Sequence, residues 1–357
     1  MTGKTFVMAG GGTGGHVVPA VAVARELKRR GHKALFIGTR KGMESKLVPQ
    51  AGFPIEWVDI GGIKGLGLGA MARMTLKMPG AIRAARAVLQ KEKAAAVFSM
   101  GGFVAGPTVL AAASLGVPVV VMEPNAMPGL TNRKMAGLAY RALVMFEEAG
   151  KFFRPGCWEV CGLPVRDEFF KIQPRKRSEL FTVLVTGGSR GSRTLNNAAR
   201  AAWRIAKEAG MKIRWIHQSG VESFAELLEE FKHGKYDGRL NDFVDDMPKA
   251  FAEADLIICR SGAGTVSELS AAGKPSVLVP FPFASDQHQL KNAEAMRDAG
   301  AATMVLDAEM TGERMVAEIH TLSEGRGALE RMGAAARGLA KPEALKRAVD
   351  VLEEAAK

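Results

Sequence analysis

Short apolar runs alternate with helical patterns along this chain, and most of the runs lead into glycine. Thr5 to Ala9, Ala34 to Gly38, Ala94 to Ser99, Val117 to Met122, Phe181 to Thr186, Lys212 to His217, Leu256 to Cys259 and Ser276 to Val279 are each four to six residues long. Rich in Val, Ile, Leu and Phe and largely without polar alternation, they read as strands buried on both faces. Asn241 to Met247 reads as a further short strand leading to a helix. Helical periodicity follows most of these runs, from Val17 to Arg30, from about Thr194, and from Thr265, where Val266, Leu269 and Ala272 share one side. Strands that alternate with helices predict parallel sheets and an α/β fold.

The stretch from Ala254 to Asn292 carries the most chemistry. Its strand breaks at Ser261-Gly262-Ala263-Gly264 before the helix opens. Small residues there let a ligand approach the backbone, and the amides of the first helical turn face it with the positive end of the dipole, which suits a diphosphate. Such a site contributes only roughly 1–2 kcal/mol, so specificity must come from side chains. Glu268, about one turn into the helix, can accept two hydroxyl hydrogen bonds of the kind a ribose diol offers. Asp286, His288, Gln289 and Asn292 follow the next strand in a polar loop suited to sugar hydroxyls. The plainer alternative is that Ser261 caps the helix and Glu268 favours its first turns electrostatically.

The first strand runs into Gly10-Gly11-Gly12-Thr13-Gly14-Gly15-His16, and Pro19 then sits where a helix's first turn tolerates it. Gly10, Gly12 and Gly15 fit the G-x-G-x-x-G spacing of a dinucleotide fold, but the second strand ends in Thr39 and Arg40 rather than the expected acid, which leaves an NADP reading through Arg40. His16 stands at a helix start, where burial and the dipole both favour the neutral imidazole, able to accept a proton from a hydroxyl; it equally suits a histidine that hydrogen-bonds the loop. Gly101-Gly102, Glu123-Pro124-Asn125 and Gly187-Gly188-Ser189 end other strands, and in open parallel sheets such ends share one edge. No Lys-Ser/Thr closes the glycine loop after Thr186, so it is not a nucleotide-hydrolysing P-loop.

The periodicity breaks at Pro155-Gly156 and again at Gly162-Leu163-Pro164, which places a domain boundary there. The reading is therefore a first domain over 1–162, a second over 163–340 and a terminal helix over 341–357 that returns to the first. At 357 residues and 47% hydrophobic content the chain has length for two cores. Three cysteines, Cys157, Cys161 and Cys259, cannot all pair and read as reduced packing residues. No long uninterrupted apolar segment and no signal-peptide pattern occurs, so the expectation is a cytosolic protein or one peripheral to a membrane.

The net charge of +12 is unevenly placed: residues 1–150 hold 19 Lys and Arg against 8 Asp and Glu, and the rest is near balance. That calls for an anionic partner, and with 6% aromatic residues and no clustered stacking positions, single-stranded nucleic acid is the weakest of the choices. Within 61–91, Lys64, Arg73, Lys77, Arg83, Arg86 and Lys91 mix with Leu66, Leu68, Met71, Met74 and Leu76, and no acid is present. This suits an anionic membrane surface; a glycine-rich loop followed by an ordinary amphipathic helix has the same pattern.

Taken together, Gly-Gly-Gly-Thr-Gly-Gly-His at 10–16, Gly-Gly-Phe-Val-Ala-Gly-Pro at 101–107, Asn125 with Pro-Gly-Leu-Thr-Asn at 128–132, Pro-Val-Arg at 164–166, Gly-Gly-Ser at 187–189 and Arg-Ser-Gly-Ala-Gly-Thr-Val-Ser-Glu at 260–268 resemble the MurG family of bacterial glycosyltransferases. Six motifs in the same order, spanning residues 4 to about 350, are far more specific than any one alone. The resemblance implies a GT-B fold of two facing Rossmann-like domains. It implies that UDP-N-acetylglucosamine donates its sugar to the C4 hydroxyl of undecaprenyl-diphosphate-linked N-acetylmuramoyl pentapeptide, with inversion, at the cytoplasmic face of the inner membrane. By similarity, Val244 would lie beside the uracil, Ala263, Gly264, Thr265, Val266 and Ser267 around the diphosphate, Glu268 on the ribose and Gln289 on the sugar. Ser189 and Arg166 would line the cleft, Thr13, Gly14, Gly15 and Asn125 would close over the donor sugar, and His16 would be the base. No Asp-x-Asp metal motif appears, and neither metal nor cofactor is expected. Where the family usually carries His-Glu-Gln-Asn, this chain has Met122-Glu123-Pro124-Asn125. The competing readings are a UDP-N-acetylglucosamine 2-epimerase or lipid galactosyltransferase of the same fold, an NADP-dependent oxidoreductase built on the first glycine loop, and a non-catalytic basic scaffold.

Overall fold

Every strand pairing among the described residues is parallel. The structure, a computed structural model, describes residues 3–12, 14–60, 68–175, 180–325 and 327–357, with backbone alone for 68–75. It contains two units, the first running to Pro164 and taking in Lys341–Lys357, the second running from Val165 to Ala340.

The first unit holds β1 (Thr5–Gly10), β2 (Lys33–Gly38), β3 (Ile55–Trp57), β4 (Ala94–Gly101), β5 (Val119–Glu123), β6 (Arg141–Val144) and β7 (Trp158–Val160), in the sheet order β3-β2-β1-β4-β5-β6-β7. The chain starts in the middle of the sheet and winds outwards in both directions, so β1 and β4 flank the point where the winding reverses, and their carboxyl ends open a crevice. Gly10 pairs with Gly101 across that point, which sets the two glycine loops side by side. Helices cover both faces: α1 (Gly14–Arg29), α2 (Glu44–Gln50), α3 (Leu68–Lys91), α4 (Ala105–Ser114) and α5 (Leu130–Met135). Phe6, Met8, Phe36, Phe98 and Val120 pack against α1 on one face, and Val7, Ala9, Val97 and Val121 pack beneath α3 and α4 on the other. With no water on either side, the central strands are apolar over most of their length, which is why these runs carry no alternation.

The terminal helix Ala344–Ala355 belongs to the first unit: Ala348, Val349, Val351 and Leu352 are fully buried in the same core as α1. Arg30, just past the end of α1, donates to Asp350 at 2.6 Å and to Glu353 at 2.9 Å, and Arg347 donates to Glu159 at 3.0 Å.

The second unit repeats the plan with β8 (Phe181–Thr186), β9 (Ile213–Gln218), β10 (Gly238–Asn241), β11 (Leu256–Cys259), β12 (Ser276–Leu278) and β13 (Thr303–Met304), in the order β10-β9-β8-β11-β12-β13. Here β8 and β11 flank the reversal, with Thr186 opposite Cys259.

Two expectations need correction. The short strand expected at Asn241 to Met247 lies earlier, at β10, and residues 242–246 form the loop before helix Met247–Glu253; Phe243 is exposed and the Asp246 side chain caps the helix by accepting from the Lys249 amide, a loop's chemistry and not a ladder's. Helix α1 begins at Gly14, so Pro19 lies in its second turn, buried, where the missing N–H removes one helical hydrogen bond. The three cysteines are free thiols.

Candidate functional site

In the second unit the loops after β8, β9, β10 and β11 meet at the carboxyl edge of the sheet. The helix Ala263–Ala272 starts there with Gly262 at its N-cap and no side-chain cap. Ser261 does not cap it: its hydroxyl donates to the Gln289 carbonyl at 2.7 Å, and Asn292 donates to the Ser261 carbonyl at 3.1 Å. Among the described residues no side chain takes the first-turn amides of Ala263, Gly264 and Thr265, and a Cβ at Gly262 or Gly264 would meet no protein atom, which leaves room for an external acceptor. Val266 belongs to the expected group only by position: its side chain is fully buried and its N–H bonds the Gly262 carbonyl at 3.0 Å, so it offers a ligand nothing. Ser267 is buried, and its hydroxyl donates to the Ala263 carbonyl at 2.8 Å.

Glu268 is partly buried and has no hydrogen-bond donor from the chain among the described residues. Burial pushes its carboxyl up from the ordinary range to about 7, against the pull of the Arg166 guanidinium. A carboxylate held out of water without donors is complementary to a ligand that brings hydroxyls. Arg166 is exposed and stacks over the Phe169 ring at 5.1 Å.

Sequence reasoning missed the residue that ties these loops together. Gln218, 1% exposed at the end of β9, accepts from the Val244 N–H at 2.8 Å and donates to the Gly188 carbonyl at 2.9 Å and the Thr186 hydroxyl at 3.2 Å. It joins the loop of Val244 to the glycine loop that carries the exposed Ser189. In that loop Gly191 has φ +74°, and any Cβ would run into the Ser219 carbonyl, so only glycine closes it. Arg260 was also missed as a positioning residue: it bonds the carbonyls of Val279 and Pro280, the Asp307 carboxylate and the Ser192 hydroxyl, which fixes the ends of β11 and β12. The Gln289 side-chain oxygen accepts from the Phe281 N–H at 3.0 Å, leaving its amide hydrogens for a ligand, while Gln287 is exposed and His288 Nδ1 lies 2.7 Å from the Ser285 carbonyl.

In the first unit, Gly14 and Gly15 are the opening residues of α1, and Thr13 lies outside the described residues. His16 Nδ1 lies 3.2 Å from the Gly11 carbonyl, which in a neutral ring places the proton on Nδ1 and the lone pair on Nε2. The turn after β4 presses on it: a Cβ at Gly102 would stand 3.4 Å from Nδ1. Asn125 is held by Glu123, 2% exposed, which accepts the Asn125 N–H and carboxamide, the Gly129 N–H and the Asn132 carboxamide. Burial raises the Glu123 carboxyl above its ordinary range, and the four donors oppose that rise. The glutamate that stands second in the loop's usual motif is thus the piece that shapes the loop here, with Pro124 in place of a polar residue.

The dinucleotide alternative fares poorly in the first glycine loop. The Gly12 N–H is taken by the buried carboxylate of Glu44 at 2.8 Å, and Arg40 stacks over the Trp57 ring at 5.0 Å. No cluster of His, Cys, Asp and Glu able to hold a metal occurs among the described residues.

The basic segment 61–91 is only partly visible. Residues 61–67, with Lys64 and Leu66, lie outside the described residues, as do the side chains of 68–75. Beyond them Leu76 is 80% exposed on α3, next to Lys77, which pairs with Asp59 at 2.7 Å, and Arg83 is exposed further on. No helix of the described residues is long and apolar enough to cross a membrane.

Residues 6–144 match the glycosyltransferase family 28 N-terminal domain and residues 182–349 the glycosyltransferase family 28 C-terminal domain. The chain is 54% identical over its full length to a UDP-N-acetylglucosamine–N-acetylmuramyl-(pentapeptide) pyrophosphoryl-undecaprenol N-acetylglucosamine transferase of Solibacter usitatus, covering 97% of that protein. It is 41% identical to the transferase of the same name from Methylococcus capsulatus, covering 99% of each chain. Among solved structures, MurG of Acinetobacter baumannii superposes with a TM-score of 0.83 at 32% identity, over 98% of this chain and 99% of that one.

Proposed function

Because this chain belongs to the MurG family, within glycosyltransferase family 28 and of GT-B fold, we propose that it transfers N-acetylglucosamine from UDP-N-acetylglucosamine to the C4 hydroxyl of undecaprenyl-diphosphate-linked N-acetylmuramoyl pentapeptide. The observation that carries the donor half is the helix start at Gly262, without a side-chain cap, together with Glu268 one turn further on, a carboxylate without protein donors among the described residues. The amides of Ala263, Gly264 and Thr265 take the diphosphate, Glu268 the ribose diol and Gln289 the sugar, with Val244 beside the base and Ser189 and Arg166 near the ligand.

The reaction is a single displacement. The acceptor oxygen attacks C1 of the donor sugar as the bond to UDP breaks, and the electron pair leaves on the diphosphate, where the helix start stabilises it. His16 Nε2 takes the hydroxyl proton, and Gly14, Gly15 and Asn125, with Thr13, contact the donor sugar. A mutant of one oxyanion-type donor or of the base costs about 10²–10⁴ in turnover in such sites. The protein works at the cytoplasmic face of the inner membrane, with α3 and the segment before it on the anionic surface, and it has no nucleic-acid partner.

The test is release of UDP from purified protein given both substrates. The expected result is release that depends on the lipid-linked acceptor and yields a product heavier by one N-acetylhexosamine, with His16→Ala lowering turnover far more than donor affinity. UDP-N-acetylglucosamine turned over without the acceptor, or oxidation of NADPH, would overturn the assignment.

A further inference from the structure

Glu44 is fully buried at the start of α2, yet it belongs to none of the family motifs read from the sequence. Its Oε1 accepts the N–H of Thr39 at 3.0 Å and the Thr39 hydroxyl at 2.8 Å, and its Oε2 accepts the N–H of Gly12 at 2.8 Å. Three glycines make room for it: a Cβ at Gly11, Gly38 or Gly42 would collide with the Glu44 side chain. A carboxyl group kept in the core at the expense of three side chains has a use beyond packing.

The peptide unit between Gly11 and Gly12 shows what that use is. Its N–H points to Glu44 Oε2, and its carbonyl, 3.2 Å from His16 Nδ1, receives the imidazole proton. A negative charge on the N–H side polarises the amide and makes the carbonyl oxygen a better acceptor, because hydrogen bonds in a chain strengthen one another in a low dielectric. We propose that Glu44, the Gly11–Gly12 peptide and His16 form a carboxylate–peptide–histidine relay in which Glu44 is a positioning residue that fixes the His16 tautomer and stabilises its imidazolium.

The proposal rests on the reading of His16 as the base. In the chemical step the acceptor hydroxyl proton moves to Nε2, the C1–O bond to UDP breaks as the new C1–O bond forms, and the Nδ1 proton stays on Nδ1. The positive charge created on the ring is then opposed through the peptide by Glu44, in the manner of a carboxylate behind a catalytic histidine but with one amide between. Among the described elements around the ring, the turn Gly101-Gly102-Phe103 carries no ionisable group. α5, whose Asn132 meets Gly101, adds Arg133 and Lys134, and Glu123 stands behind Asn132. These are unchanged in the variants below.

Glu44→Gln keeps the volume, removes the charge and turns its amide hydrogens toward one of the donors, whereas Thr39→Val removes one hydroxyl bond to the same carboxylate but leaves the charge. In the full-length protein, the His16 ring is titrated by NMR, and kcat, KM for the donor and the pH profile of kcat/KM are measured for both variants. The expected result for Glu44→Gln is a His16 titration and an acid limb of the profile both moved to lower pH, with kcat lower on the order of tenfold and donor KM within about twofold. Thr39→Val leaves both midpoints in place. A His16 titration in Glu44→Gln that matches the unaltered protein overturns the relay even if activity falls, and so does an equal displacement in Thr39→Val, which would mark a packing role. A titration that moves while the rate profile does not would leave the relay standing and remove His16 as the base.

Discussion

One oxygen of Glu123 accepts both the backbone N–H of Asn125, at 2.9 Å, and its carboxamide, at 3.1 Å, so a single buried atom fixes the main chain and the side chain of the same residue. Its other oxygen takes Gly129 and Asn132. Glu123→Gln sets an amide hydrogen against one of these donors, and an opposed buried pair costs about 1–3 kcal/mol. The expected outcome is a lower denaturation midpoint and a kcat/KM reduced about tenfold, seen mainly in donor KM. Steady-state kinetics with wild-type kcat/KM would remove Asn125 from the sugar site.

Glu268 carries a stability cost with a definite sign. Its folded carboxyl titrates near 7 against 4.5 for the free group, so between those values the folded chain holds a proton that the unfolded chain has released. Stability therefore falls as pH rises from about 4.5 to about 7 and stays lowered above that. Glu268→Gln removes this dependence, and in the ligand-free protein at pH 8 it should raise the unfolding free energy by on the order of 1–3 kcal/mol. The same variant should bind UDP-N-acetylglucosamine at least tenfold more weakly by calorimetry, since an amide accepts one diol hydroxyl where a carboxylate accepts two. Loss of stability at pH 8 on this substitution would contradict a partly buried carboxylate without donors among the described residues.

Gln218 should act on affinity and not on chemistry. Gln218→Leu cuts the connections to Val244, Gly188 and Thr186 while keeping the volume roughly constant. Donor affinity should fall about tenfold, or ~1.4 kcal/mol, with kcat at saturating donor within about twofold. A large fall in kcat at saturation would show that these loops also set the reacting geometry.

Helix α3 shows Leu76 and Arg83 to solvent. Leu76→Ser with Arg83→Glu should lower partitioning onto vesicles rich in anionic phospholipid by about tenfold or more, at roughly 1 kcal/mol for each charge near the surface. UDP-N-acetylglucosamine affinity should not change. Equal sedimentation of both proteins with the vesicles would move the contact elsewhere.

The terminal helix offers a test of the first unit's core. Leu352 is fully buried against α1, and Leu352→Ala should cost about 2–5 kcal/mol of stability in denaturant unfolding. A cost below about 1 kcal/mol would mean that the helix is only loosely docked.

The sequence alone determined the parts whose signal is local. Apolar runs such as Thr5 to Ala9 and Leu256 to Cys259 must be strands of a double-covered sheet, because nothing polar interrupts them, and a glycine turn before a helix exposes backbone amides that any side chain there would obstruct. Motif order then carried the family. Only the tertiary structure decided the roles of Glu44, Gln218 and Arg260, since each acts on residues far from it in sequence; Glu123 stands inside a motif, and its bonds to Asn125, Gly129 and Asn132 come from the way the loop folds around it. The same holds for Val266: on the helix its side chain turns into the core and its amide is already bonded, a direction fixed by the packing of strand against helix and invisible in a string of letters.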